Sequence, residues 1–226
     1  MVRNPRRSII SLAAALILGI AIPAWAQTAP DWVPTGTLEA VIGGKAHTMR
    51  SYVTVVPVDA AKRTSDPEAR ALLEKLAGTE QHTATWMITD AFEMGGMVLL
   101  PAMLFVSIGT RTSEDATAKT GQIDMNFALD LDSLALDTES DIEVRYFPGS
   151  WSTTDFYALT EGALRLDSVE VVDERTLAIT GTILGTLSFQ ESYSVEHNPN
   201  DILPFEATFN IERVFGSQLP LELLGQ

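Results

Sequence analysis

Between residues 148 and 157 the chain gathers three aromatic side chains, Trp151, Phe156 and Tyr157, among Ser150, Ser152, Thr153, Thr154 and Asp155. Ring faces beside short hydroxyls and a carboxylate suit sugars or peptides. The rings take the apolar surface of such a ligand and the polar groups fix its orientation. Trp151, Asp155, Phe156 and Tyr157 are therefore the candidate binding residues. The plainer reading of the same residues is that the aromatics cap one end of a core.

Other groupings point to other chemistries with less force. Met94-Gly95-Gly96-Met97, with His47-Thr48-Met49 elsewhere, offers thioether and imidazole donors to a soft ion such as Cu(I). Paired methionines at a glycine turn are more often core filler. Asp130, Asp132, Asp137, Glu139, Asp141 and Glu143 supply hard oxygen ligands for Ca²⁺, but without the glycine and terminal glutamate spacing of an EF-hand. A solvated acidic loop is the simpler reading, and no metal or other cofactor is assigned. No catalytic residue is assigned either. The chain has no G-x-S-x-G, no H-E-x-x-H, no glycine-rich phosphate loop and no cysteine, and His47, His82 and His197 stand apart. Two-carboxylate hydrolysis would need only a pair among thirty acidic residues. Glu191 is the one acid in phase with Phe189 and Tyr193, and it is expected to reach water at a bulge or strand end.

The bulk properties narrow the partners. Arg3, Arg6 and Arg7 precede an apolar run over residues 9–22 and then Ala24-Trp25-Ala26, the pattern of a cleaved export signal over residues 1–26. Arg6-Arg7-Ser8-Ile9-Ile10 also resembles the core of a twin-arginine signal, although no Ser or Thr directly precedes the pair. The apolar run is too short for a spanning helix, so no membrane span is expected after cleavage. Residues 27–226 keep twelve basic against thirty acidic residues, a net charge of −18 before histidine. Such a charge repels nucleic acid and anionic lipid, so nucleic acid is excluded as a partner. Without cysteine, stability must come from packing, which a chain of this length can supply by burying roughly 70% of its unfolded surface.

The elements that must position these residues are strands. Leu38, Ala40 and Ile42 share one face of a first strand, and Gly43-Gly44 predicts a two-residue hairpin turn. Ser65-Asp66-Pro67-Glu68 reads as a capping box opening a helix from Asp66 to Ala77 with a Leu72, Leu73, Leu76 stripe, ended by Gly78. Residues 97–108 are apolar on both parities, as in a strand covered on both sides, with Pro101 splitting it or forcing a bulge. In 122–132, Ile123, Met125, Phe127, Leu129 and Leu131 alternate with Gln122, Asp124, Asn126, Ala128, Asp130 and Asp132, which predicts one dry and one wet face. A hairpin with loop Asp173-Glu174-Arg175 would pair Val169 with Ile179 and Val171 with Leu177, with a bulge near Ser168 or a strand covered on both faces. Strands over 187–196 and 205–212 complete about ten strands with one inserted helix. The prediction is one all-β domain over 27–226, an antiparallel β-sandwich, with a closed or partly open barrel as the alternative.

The stretches Gly36-Thr37-Leu38-Glu39-Ala40-Val41-Ile42-Gly43-Gly44 and Ile179-Thr180-Gly181-Thr182-Ile183-Leu184-Gly185-Thr186-Leu187 resemble a group of uncharacterised secreted β-sandwich domains. The resemblance implies a fold and carries over neither an activity nor site residues. The functional expectation is a non-catalytic periplasmic or secreted binding domain for a small molecule, glycan or protein. The alternative is a small periplasmic hydrolase using carboxylate chemistry.

Overall fold

The computed structural model describes residues 32–94, 97–100, 102–112, 121–149, 155–193, 195–220 and 223–224, with backbone alone for Arg63, 92–94 and 97–100. The export signal expected over residues 1–26 lies outside them. The first hairpin forms as its glycines dictate. β1 (Val33–Ile42) and β2 (Lys45–Val55) are joined by Gly43 and Gly44 at φ 56° and 80°, the positive pair that a two-residue turn requires. Leu38, Ala40 and Ile42 are buried, while Thr37, Glu39 and Val41 are exposed.

Between β2 and the next strands the chain makes a short 3₁₀ turn, Ala60–Arg63, which the sequence pattern did not announce, and then α1 (Pro67–Leu76). The cap is Asp66 rather than Ser65. Its carboxylate accepts from Glu68 N at 2.9 Å, and Pro67 occupies the first helical position, where no donor is needed. Of the leucine stripe only Leu73 is fully buried, in a small cluster with Val56, Ala60 and Ala61. Leu72 stays exposed. The helix therefore rests on a satellite of the main core.

The remaining strands are β3 (Glu80–His82), β4 (Ala84–Thr89), β5 (Phe92–Met94), β6 (Met97–Leu100), β7 (Met103–Arg111), β8 (Gln122–Asp130), β9 (Glu143–Phe147), β10 (Phe156–Asp173), β11 (Thr176–Gln190) and β12 (Asn198–Gly216). β6 and β7 are separate strands on either side of residue 101, as a proline there demands. In the β10–β11 ladder Val169 faces Ile179 and Val171 faces Leu177, and the register shifts between Leu166 and Ser168, both as predicted. The turn is one residue tighter than expected: Asp173 pairs with Thr176, and a further shift between Val171 and Asp173 takes up Val172. Glu174 and Arg175 form the turn, and Asp173 Oδ1 accepts from Arg175 N at 2.8 Å. β11 stops at Gln190, so the strand expected to continue to residue 196 turns away at Glu191.

The fold is all-β and mostly antiparallel. Ten strands form one sheet in the order β11-β10-β9-β8-β7-β4-β12-β1-β2-β3, and β5 and β6 form a separate hairpin. β11 also pairs with β12, and β2 meets β7 at Arg50 and Arg111, so the sheet returns on itself. Facing walls share a single cluster that draws on β1, β2, β4 and β7–β12, as two sandwich layers do, here with both sides joined by pairing. Apart from the parallel β12–β4 pair the strands alternate in direction, so the strand ends at Ile42, Arg111, Gln122, Phe147, Phe156, Gln190 and Asn198 are directed to one end. At the other end the carboxyl-terminal Leu219 and Leu223 enter the core, and Leu219 N donates to Glu174 O at 2.7 Å.

Candidate functional site

Phe156 and Tyr157 are successive residues of a strand, so their rings leave on opposite faces. The predicted site is therefore divided in two. Trp151 lies outside the described residues, and Asp155 is exposed at the start of β10.

Tyr157 turns inward at the end to which Ile42, Phe147 and Gln190 are directed. Its ring lies 5.4 Å from Phe189 and 6.4 Å from Tyr146, and Tyr146 lies 6.0 Å from His47. β2, which carries His47, and β9, which carries Tyr146, are not neighbours in the sheet. The chain of rings His47–Tyr146–Tyr157–Phe189 thus crosses the end of the core. The Tyr157 hydroxyl donates to Asp201 Oδ1 at 3.1 Å. Burial raises the pKa of both tyrosines above the usual phenol value, and the Asp201 carboxylate raises Tyr157 further. Both remain neutral hydroxyls at any physiological pH, able to donate and to accept.

Phe156 turns outward and is buried among Phe147 (ring centroids 5.6 Å) and Tyr193 (4.9 Å). The Arg145 guanidinium lies 4.8 Å from the Tyr193 centroid and 5.8 Å from that of Phe156, and donates to Glu143 Oε2 at 2.7 Å. This outer face corrects the expectation of a wet side on β8. Asp124, Asn126 and Ala128 are 3%, 1% and 1% exposed, so β8 is covered on both faces from Ile123 to Leu129. Asp124 Oδ1 accepts from Gln122 Nε2 at 2.8 Å. Burial raises the Asp124 carboxyl above its ordinary value, while Gln122, Arg145 and Arg111 pull it back. Burial likewise lowers Arg111, against the opposing field of Asp124. Asn126 has no hydrogen-bond partner for either amide atom. The hint of a second covered face was in the neighbouring strand, where residues 97–108 are apolar on both parities.

The other candidates dissolve into structure or stay apart. Glu191 is exposed just beyond the end of β11, the outcome expected of it. The acidic run serves its own turns: Asp130 accepts from Asp132 N, Ser133 N and Ser133 Oγ, which lowers its pKa, and Asp137 accepts from Glu139 N and Ser140 Oγ. Among the described residues no three metal-binding side chains converge. Met94 and Met97 pair across the β5–β6 turn, and their side chains lie outside the described residues. His82 stacks on Phe215 at 4.2 Å with Nε2 3.1 Å from Glu80 Oε2, while His197 is exposed.

Comparison with protein-family models, with curated proteins and with solved structures found no match. That end of the core groups two neutral phenol hydroxyls, the Asp201 carboxylate and four ring faces.

Proposed function

We propose that this chain is an exported, non-catalytic binding domain that takes a small molecule, a glycan or a protein segment at the end of the strand ring that holds His47, Tyr146, Tyr157 and Phe189. One observation supports this above others. The His47–Tyr146–Tyr157–Phe189 chain lays ring faces and polar tips side by side at that end, with Asp201 orienting the Tyr157 hydroxyl. Rings that carry a polar handle bind ligands with mixed surfaces, because contact area and hydrogen bonding come from one side chain. Export is supported by the tripartite pattern of residues 1–26. Carboxylate hydrolysis would need a sheltered acid such as Glu191, or converging acids. Glu191 is exposed and the acids of 130–143 cap turns, so the binding reading stands ahead.

The test is a thermal-shift and calorimetric panel of neutral tetrasaccharides and short peptides, run on wild type, His47→Ala and Tyr157→Phe. A probe at 100 times its Kd adds about 2.7 kcal/mol to stability, and the variants should reduce that gain. A panel with no effect on wild type, or one whose gain survives both substitutions, would count against the reading. Mass spectrometry of the exported protein should find a chain starting at Gln27; a chain retaining Met1 would remove the localisation.

A further inference from the structure

We propose that the covered outer face of β8 and β9 is a binding subsite for a neutral, hydroxyl-bearing ligand of the sugar class, with Asn126 as its recognition group. It lies on the opposite side of β9 from Tyr146, and does not depend on the reading of the inner site.

Asn126 carries the argument. Its side chain alternates with Met125 and Phe127, which enter the main core, so it projects from the outer face beside Asp124. It is 1% exposed and neither its Oδ1 nor its Nδ2 has a hydrogen-bond partner. An unpaired buried donor or acceptor costs about 1–3 kcal/mol, and a carboxamide brings both. A leucine would fill the same space without that cost. An asparagine kept in such a place is therefore accounted for by a partner that supplies an acceptor and a donor on adjacent atoms, as neighbouring hydroxyls of a sugar do.

The surrounding charges set the class of ligand. Asp124 lies opposite Arg145 in the ladder and within the field of Arg111, and Arg145 is itself bonded to Glu143. Two cations and two carboxylates already balance each other, so a charged ligand would meet no uncompensated partner, whereas a neutral one disturbs none of them. The exposed ring of this face is Tyr193. That ring is 65% exposed and stacks on Phe156 and the Arg145 guanidinium, which gives the stripe an aromatic rim of the kind that receives a sugar face.

The experiment follows the Asn126 side-chain amide by ¹⁵N–¹H spectroscopy in the intact protein, titrated with glucose and with N-acetylglucosamine. The signal is assigned by its loss in Asn126→Leu. We expect the amide pair to shift saturably with at least one sugar. Asn126→Leu should melt no lower than wild type yet bind that sugar at least about tenfold more weakly by calorimetry. Tyr193→Ala, at the exposed rim, should weaken binding less. An amide pair unmoved by both sugars overturns the proposal, as does an Asn126→Leu protein that binds as wild type does. A crystal structure in which an ordered water alone bridges the two amide atoms, unchanged after soaking with both sugars, overturns it too. If Asn126→Leu does not fold, Asn126→Ser makes the same comparison, and the wild-type titration stands by itself.

Discussion

The two halves of the strand ring bury themselves in different ways. From β10 through β12 to β1, one face of the sheet meets the core and the other meets water: Phe205, Ala207, Phe209 and Ile211 are buried, and Glu206, Thr208, Asn210 and Glu212 are exposed. In β7–β9 both faces are covered, and the second face holds Phe105, Ser107, Asp124, Asn126, Ala128 and Phe147. Alternation in one strand reports how one face differs from the other. It does not report whether the more polar face is wet, because a polar residue can be covered when neighbours share the burden of its charge.

The largest expected effect breaks this contrast directly. Ala128→Asp places a carboxylate at a position 1% exposed, with no cation opposite: its ladder partner is Phe105. It should destabilise by about 3 kcal/mol or more in urea melts. Thr208→Asp, on the exposed face of β12, should stay within about 0.5 kcal/mol. Equal effects at the two sites would remove the distinction between the halves.

A smaller change sharpens it from within the regular half. A Cβ at Gly181 would come 2.5 Å from Arg165 O and 2.7 Å from the Phe209 ring. Glycine is needed there because the β10 backbone and a core phenylalanine close on it together. Gly181→Ala should cost about 2 kcal/mol, and a neutral result would mean that this wall yields more readily than its long ladders imply.

The junction between the halves predicts a pH dependence. His82 sits at the β2–β3 edge, its side chain 3% exposed against Phe215, and burial lowers its pKa below the ordinary 6.5 despite Glu80. A histidine with a lowered folded pKa stabilises the protein above the unfolded value of 6.5. That contribution is lost as pH falls below 6.5 and through the folded value. Melts between pH 7.5 and 5 should show a decline of at most about 1.4 kcal/mol per pH unit from this one group, and His82→Phe should flatten it. An undiminished slope in the variant would assign the decline to other groups.

The smallest expected effect is at Glu191, outside both halves. Exposed beyond the last residue of β11, its change to Gln should alter stability by less than about 0.5 kcal/mol in urea melts. A clearly larger change would return Glu191 to a sheltered position.

The local features were readable because each rests on neighbours in sequence. Gly43-Gly44 dictates a turn through its backbone freedom, Asp66-Pro67 opens a helix, and Val169, Val171, Leu177 and Ile179 set a register by facing one another across a short hairpin. The bulge at Ser168 was legible for the same reason, since the apolar phase changes within four residues. What the tertiary structure alone decided is which faces are covered and which distant groups meet. The return of β11 onto β12, the meeting of His47 with Tyr146 across the core end, and the burial of Asp124 and Asn126 all join residues far apart in the chain. The aromatic loop shows the limit most plainly. Phe156 and Tyr157 read as one cluster because they are adjacent, but a strand turns adjacent side chains to opposite faces, so the fold places them on two faces of the sheet.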